Sequence, residues 1–154
     1  MNKKQKIFEI CAILLMIDQL IKIIIHSKMD LYQEIVIIPR FFSLLYVQNT
    51  GAAFSMFENG TIFLSILSVL FILAINHYIK KESSSFSIYD IVSFGMVLGG
   101  IFGNLIDRII HHGVIDYLSF TFGNYQFAIF NFADICIVLG VILLIISSLF
   151  IKKR

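Results

Sequence analysis

Four long apolar stretches account for more than half of this 154-residue chain. They cover approximately residues 7–26, 61–79, 88–110 and 130–151, and each is close to the length of about 20 residues with which an α-helix crosses a bilayer. Only 14% of the residues are charged, whereas a soluble domain carries about a quarter. We therefore predict an all-α membrane protein with four transmembrane helices, organised as a single domain over residues 1–154.

Three clusters of basic residues predict the orientation of these helices. With four spans, all three clusters fall on one side, which the positive-inside rule makes cytoplasmic: Lys3, Lys4, Lys6, Lys80, Lys81, Lys152, Lys153 and Arg154. Both termini are then cytoplasmic, and two outer loops, residues 27–60 and 111–129, face outward. Because Glu9, Asp18 and Lys22 interrupt the first stretch, we interpret it as a retained span rather than a cleaved signal peptide.

Both outer loops contain patterns that are typical of short strands. Residues 35–38 form a β-branched run, Pro39 follows, and a second apolar run covers residues 41–47. Residues 118–127 alternate between apolar and polar types on either side of a Gly-Asn turn. An open sheet edge cannot lie in hydrocarbon, so we expect these strands at the outer water–lipid interface.

The third apolar stretch has one face without side chains. Gly95, Gly99 and Gly103 recur every four residues, a spacing that brings them onto the same face of a helix. Small residues at this spacing are typical of closely packed membrane helices. We therefore predict that this face packs tightly against a neighbouring helix.

Several charged side chains lie inside the apolar stretches. Asp18 and Lys22 are four residues apart, and Asn104, Asp107 and Arg108 share another helix face. Each set has two explanations. Either its side chains pair with one another and stabilise the helix bundle, or they form part of a polar site near the outer ends of the helices. A charge at the centre of a membrane helix costs roughly 2.5–3.5 kcal/mol. We therefore expect the charged side chains to converge on one pocket, namely Asp18, Lys22, Asp107, Arg108 and Asp134.

A turn with unusually small side chains follows the second strand pattern. Residues 49–55 read Asn-Thr-Gly-Ala-Ala-Phe-Ser, and Asn-Thr-Gly is a turn signal. One interpretation is a loop corner packed with small residues. The other is a strip of backbone around Gly51 that an extended peptide can approach closely, with Asn49 binding its main chain.

Two aspartates flank the second outer loop. Asp116 follows the third apolar stretch. Asp134 lies near the start of the fourth apolar stretch, three residues after Asn131. Singly, Asp134 is explained as a helix cap favoured by the helix dipole, and Asp116 as a loop carboxylate. Together, at the outer ends of adjacent spans, they are expected to share one proton, with one group acting as base and the other as acid. Hydrolysis by a pair of aspartates requires this arrangement.

No residue spacing in the chain predicts a metal site or a cofactor. Adjacent His111 and His112 point in different directions on most backbones and make a poor chelate. Cys11 and Cys136 lie in the first and fourth apolar stretches, near opposite faces, and we interpret both as small apolar residues rather than a disulfide. We expect no metal and no cofactor.

Taken together, these motifs resemble those of the lipoprotein signal peptidase family. Its members are membrane aspartic peptidases that cleave bacterial lipoprotein precursors during their maturation. The resemblance extends over nearly the whole chain and rests on five ordered motifs. They are DQLIK at residues 18–22, NTGAAFS at 49–55, GGIFGNLIDR at 99–108, VIDYL at 114–118 and FNFADI at 130–135.

The resemblance implies a four-helix membrane protein with a small β-cradle on the outer side. It implies cleavage of a signal peptide just before a diacylglyceryl-modified cysteine, at the outer face of a bacterial cytoplasmic membrane. Asp116 and Asp134 would be the catalytic pair. Substrate would be bound by Asn49, Gly51, Asn104, Arg108 and Asn131, with Asp18, Lys22 and Asp107 in support. The expected partners are lipidated prolipoprotein signal peptides and membrane lipids, with no nucleic acid, and we expect a monomer.

Two other classes of protein also keep polar residues within a helical bundle. A small transporter or proton pathway would need polar residues at mid-membrane and in the inner halves of the spans, whereas here they cluster toward one end. A non-enzymatic assembly factor would explain the glycine face, but it leaves the two aspartates without a role.

Overall fold

The computed structural model describes residues 2–51 and 60–151. The predicted small residues at 52–55 and the C-terminal basic cluster at 152–154 lie outside this part of the chain. The helices are α1 Lys3–Lys28, α2 Thr61–Glu82, α3 Ile88–His111 and α4 Phe132–Ile146. The strands are β1 Glu34–Ile38, β2 Phe42–Asn49, β3 Val114–Phe122 and β4 Tyr125–Gln126. A 3-10 turn, Ser83–Ser85, follows α2, and a π-helical turn, Ser147–Ile151, follows α4.

Three helical segments in the described residues are long and apolar enough to cross a membrane. They are Thr61–Ser85, Ile88–His111 and Phe132–Phe150, which agree with the second, third and fourth predicted spans. Helix α1 is 26 residues long and carries charged residues within its apolar run. The prediction of a mostly helical membrane protein with a small sheet is therefore confirmed, and a fourth span in α1 stays a prediction.

The fourth helix begins later than its apolar stretch. Phe130 is held in extended conformation by Leu118 of β3, with Leu118 N–H donating to the Phe130 carbonyl at 2.8 Å and Phe130 N–H donating back at 3.2 Å. Helix α4 therefore begins at Phe132, two residues after the start of the apolar stretch, because Phe130 is paired with a strand. Asn131 consequently lies between the strand contact and the helix.

The chain divides into two compact units. The helical unit comprises residues 1–18, 67–103 and 132–154, and the sheet unit comprises residues 19–66 and 104–131. The core of the helical unit is a cluster of buried apolar side chains, namely Ile7, Cys11, Ile79, Phe86, Ile91, Phe94 and Leu98. The prediction of a single domain stays a prediction.

The glycine face of α3 packs closely against α1 within the helical unit. A Cβ atom on Gly95 would lie 2.6 Å from Ile10 Cγ2, and one on Gly99 would lie 3.1 Å from the Cys11 carbonyl oxygen. The distance at Gly95 leaves no room for a Cβ without a shift of Ile10, and the distance at Gly99 is tighter than an ordinary van der Waals contact. The predicted close packing is therefore confirmed.

The sheet unit joins the two outer loops into one antiparallel sheet. The strand order is β1-β2-β3-β4, and β2 pairs with β3 from Phe42 opposite Phe120 to Asn49 opposite Val114. The strands predicted in each loop are present, with Gly123 at φ 64° in the turn between β3 and β4. Strand β3 begins at Val114 rather than at residue 118, so Asp116 lies in a strand and not in a loop.

Alternation along β3 separates its apolar and polar faces. Ile115 and Tyr117 are buried in a cluster with Ile25, Met29 and Tyr46. Successive side chains of a strand point to opposite faces, so the intervening Asp116 faces away from this cluster. The core of the sheet unit therefore fixes the direction in which the Asp116 carboxylate points.

Candidate active site

Asp116 is a buried carboxylate that is held by two side-chain amides. Asn131 Nδ2 donates to its Oδ1 at 2.7 Å, and Asn49 Nδ2 donates to its Oδ2 at 2.9 Å. Only 3% of Asp116 is exposed. Hydrogen bonds to the charged form of a carboxyl group favour that form. The two amides therefore favour an ionised Asp116.

The orientation of Asn49 follows from the turn that ends β2. Its Oδ1 accepts the backbone N–H of Gly51 at 2.9 Å, which is the local hydrogen bond that turn asparagines make. Because the oxygen is engaged with Gly51, the Nδ2 group is the one that faces Asp116. Asn49 thus lies beside Asp116 and Gly51 beside Asn49; their role in binding substrate stays a prediction.

A pocket of about 410 Å³ opens beside Asp116 in the sheet unit. Its lining includes the end of β2 and both residues of β4. Extended backbone offers N–H and C=O groups to a peptide. The lining residues are Val47, Gln48, Asn49, Thr50, Gly51, Asp116, Tyr125, Gln126, Ala128 and Ile129.

A hydrogen-bonded series connects Asp116 to a buried ammonium group. Asn131 Nδ2 also donates to Asn104 Oδ1 at 3.2 Å, and Lys22 Nζ donates to the same oxygen at 3.0 Å. Lys22, Asn104 and Asn131 are all buried. Lys22 and Asn104 therefore fix the orientation of Asn131, and so the direction of its bond to Asp116.

Asp107 neutralises this buried lysine. Its Oδ2 lies 2.8 Å from Lys22 Nζ and accepts the backbone N–H of Ile115 at 3.1 Å. Its Oδ1 accepts Gln19 Nε2 at 3.1 Å. Gln19 was not predicted, although it lies three residues before Lys22 and so on the same helix face. Lys22, Asn104 and Asp107 therefore form one hydrogen-bonded group within the sheet unit, and the convergence of all five predicted charged residues on one pocket stays a prediction.

Arg108 Nη1 lies 3.4 Å from the Asn104 carbonyl oxygen, within α3. The side chain is half-buried. Its predicted role in binding substrate stays a prediction.

The other predicted catalytic residue, Asp134, lies in the helical unit. It is half-buried in the first turn of α4, where the helix dipole favours a carboxylate. The neighbouring residue Ala133 is fully buried, and its backbone N–H donates to Asp18 Oδ1 at 3.1 Å. A Cβ atom on Gly103 would collide with the Asp18 carboxylate. Asp18 and Gly103 therefore fix the first turn of α4 and with it Asp134.

A second polar group in the sheet unit was not predicted. The hydroxyl of buried Tyr46 and His26 Nδ1 are 2.7 Å apart, and the His26 and His111 rings are 5.0 Å apart. Burial, and then the negative charge of Asp107, raise the pKa of Tyr46. Among the described residues, His, Cys, Asp and Glu form no group of three or more that could hold a metal; the expectation of a metal-free protein stays a prediction.

Comparisons with known proteins agree with these motifs over nearly the whole chain. The family model described as signal peptidase (SPase) II matches residues 10–150. The lipoprotein signal peptidase of Symbiobacterium thermophilum is 39% identical over 145 residues, which is 94% of this chain and 95% of that protein. The lipoprotein signal peptidase of Maridesulfovibrio salexigens is 38% identical over 152 residues, covering 96% and 97%.

A solved structure is similar to this fold as well. It is a bacterial membrane enzyme obtained by the in meso method at 2.3 Å resolution. The TM-score is 0.85 with 28% sequence identity, covering 96% of this chain and 91% of that one. Sequence and fold therefore agree, and the chain belongs to the signal peptidase II family of membrane peptidases.

Proposed function

We propose that this chain is an aspartic endopeptidase that removes signal peptides from diacylglyceryl-modified prolipoproteins, cleaving just before the lipidated cysteine. The family model and the relatives, which are lipoprotein signal peptidases, support the substrate class. One observation carries the catalytic assignment: Asp116 is buried and each of its oxygens accepts a side-chain amide. We propose Asp116 and Asp134 as the catalytic pair.

The two aspartates would divide the work of acid and base. Ionised Asp116 takes a proton from a water molecule as that water attacks the scissile carbonyl carbon. Protonated Asp134 donates its proton to the developing oxyanion. The tetrahedral intermediate then collapses and the C–N bond breaks. The proton that Asp116 took from water passes to the leaving amine, and Asp134 takes back a proton from a hydroxyl of the intermediate as the new carboxyl group forms. Two carboxyl groups that share one proton can supply both steps, so we expect no metal and no covalent intermediate.

The remaining predicted residues would bind substrate and orient the pair. Asn49 and the backbone at Gly51 would bind the peptide main chain in the pocket beside Asp116. Asn131 and Asn104 would hold the Asp116 carboxylate, and Arg108 would bind substrate. Asp18, Lys22 and Asp107 would act behind these residues as supporting groups.

We also propose four spans with both termini in the cytoplasm, so that the site works at the outer face of a bacterial cytoplasmic membrane as a monomer. The basic clusters and the three long apolar helices support this topology. Strand β1 supports it too, because all five of its residues are exposed and four of them are apolar. Such a strand suits the water–lipid boundary, and membrane lipid would also hold the substrate's diacylglyceryl group. A transporter is not favoured, since the matching relatives are peptidases.

A cleavage assay with purified protein tests the catalytic assignment. Asp116→Asn and Asp134→Asn keep side-chain size but remove a proton donor or acceptor, and we expect each to lower kcat by about 10²–10⁴-fold. Asp30→Asn is the matched control, because Asp30 is exposed and lies outside the site; we expect it to cleave like wild type. Near-wild-type cleavage by either dyad variant would refute the assignment.

The substrate class requires a separate comparison. The same precursor is offered with and without its diacylglyceryl group, and we expect efficient cleavage of the lipidated form only. Equal cleavage of both forms would contradict the proposed specificity, and a transporter would cleave neither.

A further inference from the structure

Next to Asp116, a backbone N–H on the edge of β3 that faces away from β2 is bound by a side chain rather than by a neighbouring strand. Strand β2 pairs along one edge of β3 from Phe120 to Val114. On the other edge, pairing with β4 in the described part of the chain is limited to Thr121 and Phe122, and Phe130 forms a bridge with Leu118. Ile115, directly before Asp116, donates its N–H to Asp107 Oδ2 instead.

Asp107 is well suited to hold a buried N–H group. It is 1% exposed, and Lys22 and Gln19 also contact its two oxygens. A hydrogen bond to an ionised acceptor is shorter and stronger than one to a neutral acceptor. The carboxylate thus takes the place of a neighbouring strand's carbonyl group at Ile115, on one side of Asp116, while the Phe130 carbonyl accepts the N–H of Tyr117 on the other side at 3.1 Å.

We propose that Asp107 is a positioning residue: by accepting the Ile115 N–H it fixes the backbone of β3 so that the Asp116 carboxylate meets Asn49 and Asn131. This inference rests on the proposed function, in which Asp116 is the base. Asp107 does not contact substrate in this role, and Lys22 lies 2.8 Å from the same oxygen that accepts the Ile115 N–H.

The competing explanation is that Asp107 merely neutralises Lys22. The two roles can be separated chemically. Charge balance depends on Lys22 and Asp107 being charged together, whereas β3 requires only that residue 107 has an oxygen to accept the Ile115 N–H. Removing Asp107 alone would take away the carboxylate that lies 2.8 Å from the buried Lys22 ammonium and so confuse the two effects. The pair therefore has to be replaced together.

Two matched double variants make this separation. Lys22→Met with Asp107→Asn removes both charges but leaves an amide oxygen for the Ile115 N–H. Lys22→Met with Asp107→Leu removes both charges and the acceptor. Any effect of the missing ammonium is common to both, so their difference reports the hydrogen bond to Ile115.

We expect the leucine double variant to have a kcat on the order of 10²-fold below the asparagine double variant, since a misplacement of about 1 Å has an effect of that size. KM should be similar in the two, because substrate contacts are untouched. Equal kcat values in two folded variants would overturn the proposal. A difference confined to KM would overturn it as well.

The Ile115 amide proton gives a second readout that does not depend on activity. In isotope-labelled protein in detergent, its chemical shift should move upfield from wild type to the asparagine variant, because a neutral acceptor binds the proton more weakly. This measurement stands even if the leucine variant fails to fold, and an unchanged shift would overturn the proposal. If Asp116→Asn retains activity, the proposed function is wrong. The chemical shift of the Ile115 amide proton then still reports whether Asp107 binds this proton, so the two failures can be told apart.

Discussion

The orientation of Asn131 decides how the candidate site is connected. Its single amide nitrogen donates to both Asn104 and Asp116, so its oxygen points elsewhere and the Asp116 carboxylate meets a donor. The residue types around the site could be predicted from the motifs. The direction of these hydrogen bonds could not, because an asparagine both donates and accepts and only the fold selects the side that faces Asp116.

The raised pKa of Tyr46 predicts that the free energy of unfolding depends on pH. Because its pKa is raised in the folded state, the folded chain keeps the phenol proton at a pH where the unfolded chain loses it, near pH 10. The stabilisation is fully present below about pH 10 and is lost as pH rises toward the folded-state pKa. We expect the free energy of unfolding of wild type to fall relative to Tyr46→Phe across this range, measured in detergent between pH 8 and about 11.

A second tyrosine provides the control for this measurement. Tyr125 is 57% exposed, so Tyr125→Phe should follow the pH dependence of wild type. If the Tyr46→Phe and wild-type curves run parallel above pH 10, the burial argument for Tyr46 is wrong.

Among the elements, the strands show where local pattern stops being informative. The β1–β2 and β3–β4 hairpins were predictable, because each has its turn residues and its alternation close together in the chain. The first four residues of β3 were missed: Gly113 and two histidines precede them and indicate a loop. Their pairing partner is β2, which is distant in the sequence, so no local pattern could place Asp116 in a strand.

The contacts of α3 predict graded effects of two adjacent glycine substitutions. A Cβ on Gly100 would collide with the Ala133 carbonyl oxygen at the start of α4, whereas one on Gly99 would sit 3.1 Å from the Cys11 carbonyl oxygen. Alanine favours a helix over glycine by about 0.5–1 kcal/mol, and forced overpacking costs about 1–3 kcal/mol. We expect Gly100→Ala to lower the free energy of unfolding by about 1–2 kcal/mol and Gly99→Ala to be close to neutral.

Reversible unfolding in mixed micelles measures both glycine variants side by side. Gly99→Ala serves as the matched control, since it makes the same chemical change one residue away. A larger loss for Gly99→Ala than for Gly100→Ala would contradict the described packing.

For the molecule as a whole, composition and charge were the most informative properties. Length and hydropathy were enough to predict the three apolar helices, and the motifs were enough to identify the family. The division into a helical and a sheet unit was not predictable, because it cuts through α1, α2 and α3. Hydropathy indicates which segments suit a membrane, whereas the two units are defined by contacts between segments that are far apart in the chain.

Cysteine accessibility tests the proposed topology in intact cells. Asn124 lies in the exposed turn after β3, and Ser84 is exposed in the connection after α2. We expect a membrane-impermeant maleimide to label Asn124→Cys in intact cells and Ser84→Cys only after permeabilisation. The native Cys11 and Cys136 are buried, so unmodified protein supplies the background, and the reverse labelling pattern would refute the orientation.

The pairing of β2 with β3 also has a consequence for biogenesis. Asn49 and Asp116 are 67 residues apart in sequence, and closing so long a loop is entropically unfavourable until both segments are in place. A nascent chain that has emerged only as far as α2 therefore lacks the strand that carries Asp116. In the proposed mechanism, such an incomplete chain has no group with which to activate water.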